Sequence, residues 1–256
     1  MYKSRSADYY RTYIGFPESY IVSGFLSCGT WDEETYLKTF LLMLDKLNLK
    51  YDISRPKGFW NKIIEIKINN KIIWFTMLYG GATLSEYTHI ACLFGSQKNI
   101  HIGSCGGLFP EMNSSDLLIP TWSYGDDSVT RTYSRNVQDN RHYPDKTLTE
   151  KIKSKIDPKC KVWQGPIITC QAMLGETEED IQNWSKEGYF GVEMETATVF
   201  SVSNHYNVPS ASLMYVSDNL IKGQTVGDES YEKDRVFREE SKIEMFRVTT
   251  EAILND

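Results

Sequence analysis

The chain has 256 residues and a formal net charge of −6, from 28 Lys and Arg against 34 Asp and Glu. Its composition is 41% hydrophobic and 24% charged, which indicates a folded globular protein and excludes wholesale disorder. The acidic balance argues against a protein that coats nucleic acid, and no apolar run approaches the roughly 20 residues of a membrane span. The length and the lack of internal repeats favour one domain over residues 1–256.

The periodicity of apolar residues predicts a helix and then a hairpin in the first third of the chain. Tyr36, Phe40, Met43, Leu44 and Leu47 form one apolar stripe, so we expect a helix over about residues 32–49. Isoleucines alternate with charged residues over 64–68, and a second apolar run occupies 72–78. The Asn-Asn pair between these runs supplies a turn, which predicts a β-hairpin.

After the Gly-Gly pair at 80–81, strand-like and helix-like segments alternate. The expected helices cover residues 83–94, 178–186, 195–205 and about 236–253; the expected strands cover 99–102, 117–119, 162–169, 189–192 and 211–216; residues 133–147 read as a surface loop. Strands separated by helices indicate βαβ units. We therefore predict an α/β fold, a three-layer α/β/α sandwich with a central mixed, largely parallel β-sheet.

Cysteine and histidine patterns give no sign of a metal site. The five cysteines are odd in number and widely spaced, which favours reduced thiols in a cytoplasmic protein, and the N-terminus lacks the apolar stretch of a secretory signal. The four histidines, His89, His101, His142 and His205, have no ligand spacing, and no dinucleotide fingerprint is present. We expect neither a metal nor a cofactor.

Three unusual segments each follow a strand-like run, where open α/β sheets bind their ligands. They are Gly103-Ser-Cys-Gly-Gly107, Glu193-Met-Glu195 and Ser217-Asp218-Asn219. Each has a simple structural interpretation as a tight turn, a helix-end carboxylate or a capping residue. Each also has a functional one: backbone amides for an anion, a carboxylate for sugar hydroxyls, and a semi-buried general acid.

The order and separation of these segments, within 101–107, 191–197 and 216–219, resemble the nucleoside phosphorylase family. That family includes hexameric purine nucleoside phosphorylases, uridine phosphorylases and methylthioadenosine/adenosylhomocysteine nucleosidases. The resemblance extends from about residue 72 to the C-terminus and implies a phosphorylase/hydrolase-like fold. It identifies the chain as an enzyme that cleaves N-glycosidic bonds.

The resemblance assigns roles to the sugar-side and acid residues. Met194 and Glu195 are expected to hold the ribose, with Glu193 close by, toward the base or the attacking group. Asp218 is expected to donate a proton to N7 of a purine as the bond breaks. This division fits an oxocarbenium-like transition state, in which an anionic base departs from a cationic sugar. The arginine that family members place after this aspartate is matched by Arg235, with Lys233 as the alternative.

The base contacts implied by the family fall on Met173 and Leu174, together with Asp218. Met173 stands where purine phosphorylases and nucleosidases usually place a stacking phenylalanine, and a methionine packs on a flat base less specifically. The Gln/Arg pair by which uridine phosphorylases hold a pyrimidine has no match after 171–174. A purine or purine-like base is therefore expected.

The phosphate site is where the chain departs from the family pattern. His101 replaces the usual arginine before the Gly-Ser-Cys-Gly turn, Ser104 is retained, and Gly24 is the nearest counterpart of an N-terminal glycine loop that here lacks its arginine. A neighbouring subunit contributes a further arginine in the family, for which Arg55 and Lys57 are the candidates.

The nucleosidase branch offers a second alignment, in which Gly29-Thr-Trp-Asp-Glu-Glu34 matches a strand end followed by a water-activating acid. Glu34, Glu33 or Glu193 is then the base, although acidic residues are also expected at the start of any helix.

The primary prediction is phosphorolysis of a purine nucleoside to free base and ribose 1-phosphate, with inorganic phosphate as co-substrate and no cofactor. Hydrolysis by a purine nucleosidase is the alternative, and a non-catalytic nucleoside-binding or storage relative is the second alternative. The expected partner is a small-molecule nucleoside used in salvage, with neither nucleic acid nor membrane. The family also implies a homodimer or hexamer.

Overall fold

A computed structural model describes residues 2–56 and 61–255. The strands are β1 Gly24–Gly29, β2 Tyr51–Ser54, β3 Ile63–Ile68, β4 Lys71–Leu78, β5 Asn99–Gly107, β6 Leu117–Tyr124, β7 Arg141–His142, β8 Val162–Thr169, β9 Gly191–Glu193 and β10 Ser210–Asn219. The α-helices are α1 Ala7–Ile14, α2 Glu33–Lys46, α3 Gly81–Leu93, α4 Ser128–Tyr133, α5 Lys146–Lys155, α6 Glu178–Lys186, α7 Thr196–His205, α8 Glu229–Lys233 and α9 Arg235–Leu254. Within the described ranges, every helix is too short or too polar to cross a membrane.

The first helix and the hairpin predicted from periodicity are both present. Asp32 caps α2 by accepting the Thr35 N–H at 3.1 Å, and the apolar stripe of this helix is buried in the core. Strands β3 and β4 pair antiparallel through Asn69 and Asn70, whose φ values are 49° and 63°. Both central residues of the turn therefore adopt the left-handed conformation that matches the twist of a hairpin.

The sheet is mixed, and half of it closes on itself. Parallel ladders join β4 to β1, β1 to β5, β5 to β10, β6 to β8 and β8 to β9. Antiparallel ladders join β10 to β6 and β9 to β5, so five strands (β5, β10, β6, β8 and β9) form a ring of pairings. Strands β1, β4, β3 and β2 continue from β5 as an open sheet.

Helices pack on both sides of this sheet, which confirms the predicted α/β fold. Helices α2, α5 and α9 pack together over the face that carries Leu26, Ile100 and Leu213. Helices α1, α3, α4 and α7 form the second group, packed against the side of the sheet that includes Phe25 and Trp74.

Strand β1 was not predicted from periodicity, because Gly24-Phe-Leu-Ser-Cys-Gly29 has no alternation of polar and apolar residues. It lies between β4 and β5 and is buried on both faces, so alternation is not required of it. Its polar residue Ser27 is fully buried and is hydrogen-bonded to His101. The region expected to be a loop, 133–147, contains the short β7 and the start of α5.

Candidate active site

The three segments singled out in the sequence meet at one edge of the sheet. Register pairs place Gly29 beside Gly103, Thr169 beside Glu193, and Asp218 beside Gly106. Gly29, Gly106 and Asp218 stand at or near the carboxyl ends of the parallel strands β1, β5 and β10, where such folds bind ligands, and the oppositely directed strands β8 and β9 bring Thr169 and Glu193 alongside β5.

His101, Glu193 and Glu195 form a buried cluster at this edge. The His101 Nε2 atom lies 3.7 Å from Glu193 Oε2 and 3.7 Å from Glu195 Oε2. The imidazole has no solvent exposure, and its Nδ1 atom lies 2.9 Å from the Ser27 hydroxyl. The cluster brings together His101, which was predicted to bind phosphate, Glu193, which was predicted to lie toward the base or the attacking group, and Glu195, which was predicted to bind ribose.

Glu193 is held by the turn between β9 and α7. Its Oε2 atom accepts the N–H groups of Glu195 and Thr196 at 2.8 Å each, and its Oε1 atom accepts the Thr169 hydroxyl at 2.5 Å. Burial, followed by the nearby charge of Glu195, raises the pKa of Glu193, while His101 opposes the rise. With both oxygens occupied, this side chain is fixed rather than free to swing.

Glu195 is positioned by two glycines. Its Oε1 atom accepts the Gly80 N–H at 2.5 Å, at the start of α3. A Cβ atom on Gly29 would lie 2.5 Å from Glu195 Oε2, closer than real contacts allow, so only glycine fits at the end of β1. Neighbouring Met194 is half-buried, and its carbonyl accepts the Gln171 amide at 3.0 Å.

Asp218 reaches the site through an irregularity in β10. The ladder with β5 pairs Val216 with Cys105 and Asp218 with Gly106, which leaves Ser217 as the extra residue of a bulge. The Ser217 hydroxyl bonds to the Asp218 carboxylate. Burial raises the pKa of Asp218, and the Ser217 hydrogen bond and the charge of Arg238 partly offset that rise.

The arginine whose charge lowers the pKa of Asp218 is Arg238, and not the predicted Arg235. Arg235 is exposed at the start of α9, whereas Arg238, one turn later, is 3% exposed. The Arg238 guanidinium lies 3.6 Å from the ring centroid of Tyr231 and donates to the Ser114 hydroxyl at 3.3 Å. The resemblance pointed to Arg235, although it lies a few residues beyond the family's expected spacing, and the burial of Arg238 in the folded chain distinguishes the two.

Ser104 is half-buried and hydrogen-bonds to Tyr215, whose hydroxyl lies 2.8 Å from that of Tyr36. The Lys242 ammonium lies 4.8 Å from the Tyr36 ring centroid and 5.7 Å from that of Tyr215, so a positive charge stands beside this hydroxyl pair. Sequence reasoning did not identify Lys242, because it sits among the charges of α9.

Gly24 is not brought to this edge. It is the first residue of β1, whereas the site lies at the last, and a Cβ there would meet Ile253 of α9. Gly29 is the glycine that reaches the cluster. The structure therefore does not support Gly24 as a phosphate-binding residue.

The base-side residues lie at the mouth of the site. Met173 is 40% exposed and its sulfur accepts the Tyr79 hydroxyl at 3.5 Å, while the Tyr79 ring lies 4.1 Å from that of Trp31. Leu174, predicted with Met173, is 91% exposed. Glu176, which sequence reasoning missed, is half-buried, and desolvation raises its pKa to about 7.

Of the acids proposed for the nucleosidase alternative, Glu193 belongs to the cluster, whereas Glu33 and Glu34 do not. Glu34 is exposed on the first turn of α2. Glu33 is paired with Arg55 at 2.9 Å and with Lys62 at 3.1 Å. Arg55 is therefore engaged within its own chain, and Lys57 lies outside the described residues.

The comparisons of this chain with known proteins point to one family. Residues 77–254 match the model of the phosphorylase superfamily. The chain is 25% identical over 140 residues to guanosine phosphorylase of Halorubrum lacusprofundi, covering 53% of this chain and 56% of that protein. It is 29% identical over 170 residues to a DeoD-type purine nucleoside phosphorylase of Caldanaerobacter subterraneus, covering 64% and 70%. The first of these matches thus spans little more than half the relative's own length.

Two solved structures share the fold. Uridine phosphorylase from Vibrio fischeri superposes with a TM-score of 0.74 at 17% identity, covering 95% of this chain and 96% of that one. The 5′-methylthioadenosine/S-adenosylhomocysteine nucleosidase from Helicobacter pylori superposes with a TM-score of 0.67 at 19% identity, covering 93% and 100%.

Proposed function

The chain belongs to the phosphorylase superfamily of nucleoside phosphorylases and nucleosidases, and we propose that it cleaves the N-glycosidic bond of a purine nucleoside by phosphorolysis. Phosphate attacks C1′ of the sugar, the bond to the base breaks, and free base and ribose 1-phosphate are released. The observation that carries the proposal is the placement of buried Glu195 and Asp218 at one sheet edge, with 3% and 5% exposure.

Asp218 acts on the base. Its raised pKa, caused by burial, keeps a fraction of the carboxyl protonated where a surface aspartate is fully ionised. A protonated acid donates to the purine nitrogen on which negative charge develops as the bond breaks. The proton passes from Asp218 to the base, which leaves neutral.

Glu195 acts on the sugar. A carboxylate accepts two hydroxyl hydrogen bonds at once, which suits the vicinal hydroxyls of ribose. Its Oε1 atom is fixed by Gly80, and its Oε2 atom faces Gly29. The negative charge also stabilises a sugar that becomes cationic in the transition state.

The phosphate is proposed to bind between Ser104, His101 and the backbone at the ends of β1 and β5. The curated relatives named above are phosphorylases, and Ser104 is the hydroxyl of the family's phosphorylase-type turn. Lys242, which is also paired with Glu239 at 2.7 Å, lies beside the rings of Tyr36 and Tyr215, and Tyr215 is hydrogen-bonded to Ser104.

Hydrolysis is the second candidate, and one observation favours it. Among the described residues, the ion-pair partner of both Glu193 and Glu195 is His101 and not a lysine or arginine. Such a pocket repels a phosphate dianion unless a cation is added. Water activated by Glu193 is the corresponding nucleophile.

We propose that the active form is a homodimer or a hexamer in which a neighbour covers the mouth of the site. Trp31 and Leu174 support this proposal, because they are 67% and 91% exposed at that mouth. Light scattering during size-exclusion chromatography should give a mass of two or six chains, and a monomeric mass would contradict it.

The test of the reaction is base release from inosine, guanosine, adenosine and methylthioadenosine, with and without phosphate. We expect phosphate-dependent release of free base from at least one of these nucleosides. In Glu195→Gln the KM for the nucleoside should rise so far that this release is lost. Release that needs no phosphate would favour the hydrolase. No release from any nucleoside would contradict both candidates.

A further inference from the structure

Glu176 is a half-buried acid at the mouth of the site that the proposed mechanism does not use. It stands one turn after Met173, whose carbonyl accepts the Glu176 N–H at 3.3 Å. The next residue, Thr177, caps α6, and the side chains of Thr177 and Asp180 each accept the backbone N–H of the other. These bonds fix the backbone of Glu176 at the base side of the site.

The surroundings of the Glu176 carboxyl offer one weak donor and two further acids. The Cys170 thiol hydrogen-bonds to it, and a thiol is a weak donor. Burial raises the pKa of Glu176 to about 7, and the negative charges of Asp218 and Asp180 add to that rise. A carboxylate partly removed from water beside other acids is unfavourable until a strong N–H donor reaches it. The side chain therefore suits a ligand that carries such donors.

Glu176 shares this space with the residues assigned to the base. The Tyr79 hydroxyl donates to the Met173 sulfur at 3.5 Å. Burial raises the pKa of Tyr79, and the charges of Glu195 and then Glu176 add to the rise, so the hydroxyl lies within electrostatic reach of both carboxylates. Asp218, the proposed acid, is also within electrostatic reach of Glu176. A base that contacts Met173 and Asp218 therefore comes close to the Glu176 carboxyl.

We infer that Glu176 recognises the N1–H and 2-amino groups of guanine, so that guanosine is the preferred nucleoside. The inference rests on the proposed function, because it concerns the base that the reaction releases. One carboxylate accepts two neighbouring N–H groups through its two oxygens. Guanine presents two such donors side by side, and hypoxanthine presents only N1–H. Adenine has a lone pair at N1, which a carboxylate repels.

This assignment gives the two acids different parts of the base. Asp218 acts on N7 of the five-membered ring, and Glu176 accepts from the six-membered ring, so the bound base separates two groups whose negative charges repel each other. A base without the two donors leaves the carboxylate unpaired, and that penalty discriminates against it. Sequence reasoning could not distinguish Glu176 from Glu178, because only the fold half-buries the first and leaves the second exposed.

The test is steady-state kinetics with guanosine, inosine and adenosine at saturating phosphate and pH 8, where the Glu176 carboxyl is mostly ionised. We expect kcat/KM of the wild type to fall in that order. Glu176→Gln replaces one acceptor oxygen by a donor, so its kcat/KM for guanosine should fall by about tenfold to a hundredfold, with that for adenosine changed less than about threefold. Glu178→Gln, on the exposed first turn of α6, is the control and should match the wild type.

Equilibrium dialysis with labelled guanine and adenine separates this inference from the proposed reaction, because it needs no turnover. Tighter binding of guanine than of adenine, lost in Glu176→Gln, would support the inference even if no nucleoside is cleaved. Circular dichroism and the melting temperature show whether the variant folds, and the preference of the wild type is measured without it. Equal affinity of the wild type for both bases would overturn the assignment. A wild-type preference for adenosine, or equal losses for all three nucleosides in folded Glu176→Gln, would also overturn it.

Discussion

Asp218 combines burial with an imperfect set of charge partners. It is 5% exposed, bonded to the hydroxyl of Ser217, and within electrostatic reach of Arg238 without pairing with it. A fully paired aspartate would stay ionised and could not donate a proton. This arrangement supports the proposal that Asp218 acts as an acid.

Replacement of this acid should affect turnover much more than binding. In Asp218→Asn we expect kcat to fall by about a hundredfold to ten-thousandfold, with KM changed only a few-fold, because the proton is needed in the transition state. Steady-state kinetics with the best nucleoside measure this, and Asp52→Asn on the exposed strand β2 is the control. Equal losses in kcat and 1/KM would count against the acid role.

The same substitution should stabilise the fold at neutral pH. Because the pKa of Asp218 is raised on folding, the native state binds more protons than the unfolded chain above pH 4, so stability falls as pH rises through that pKa. Because an asparagine side chain does not titrate, Asp218→Asn does not lose stability in this way. We expect the free energy of unfolding of Asp218→Asn, relative to that of wild type, to increase as the pH rises from 4 to 7.5. A constant difference across this range, measured by urea unfolding, would contradict it.

At the scale of single elements, α9 determines which arginine reaches the site. Arg235 and Arg238 are three positions apart and lie on the same side of the helix, but Arg235 is its exposed first residue, whereas Arg238 stands one turn further along and is buried. The charge of Arg238 lowers the pKa of Asp218. Its removal should therefore raise that pKa and keep the acid protonated to higher pH.

The paired variants Arg238→Gln and Arg235→Gln test this directly. The alkaline limb of the pH–rate profile should move to higher pH in Arg238→Gln and should stay in place in Arg235→Gln. An unchanged limb in both variants would show that Arg238 acts only through its packing on Tyr231 and its bond to Ser114.

The end of β1 makes a second prediction at this scale. Gly29→Ala places a methyl group 2.5 Å from Glu195 Oε2, which must displace that carboxylate. We expect KM for the nucleoside to rise at least tenfold, with a smaller change in melting temperature than a core substitution gives. An unchanged KM would mean that Glu195 does not hold the sugar.

The elements that the sequence predicted well are those whose local pattern agrees with their environment. The β3–β4 hairpin has alternation and a turn made by Asn69 and Asn70, and α2 has one apolar stripe and a cap at Asp32. Strand β1 is buried on both faces, and the bulge at Ser217 depends on pairing with β5, so neither leaves a periodic signal. Short motifs could identify Glu195 and Asp218, but Arg238, Lys242 and Glu176 depend on helix register and tertiary packing.

At the scale of the whole molecule, the site exists because strands of both directions bring their last residues together: β1, β5 and β10 run one way, and β8 and β9 run the other. The ring of β5, β10, β6, β8 and β9 brings Asp218, Glu193 and Thr169 into one neighbourhood, although more than 20 residues separate each from the next. Strand β1 joins the ring at β5 and adds Gly29. Under the proposed function, the sugar lies between the Glu195 carboxylate and the Asp218 acid, and the charges around His101 decide which nucleophile attacks it.

The sugar product of the reaction tests the central claim most directly. After incubation of the preferred purine nucleoside with inorganic phosphate, phosphorus NMR should show ribose 1-phosphate in a one-to-one ratio with free base. Free ribose with no phosphate ester would contradict phosphorolysis and assign the site to hydrolysis. No sugar product of either kind would contradict glycosidic cleavage itself.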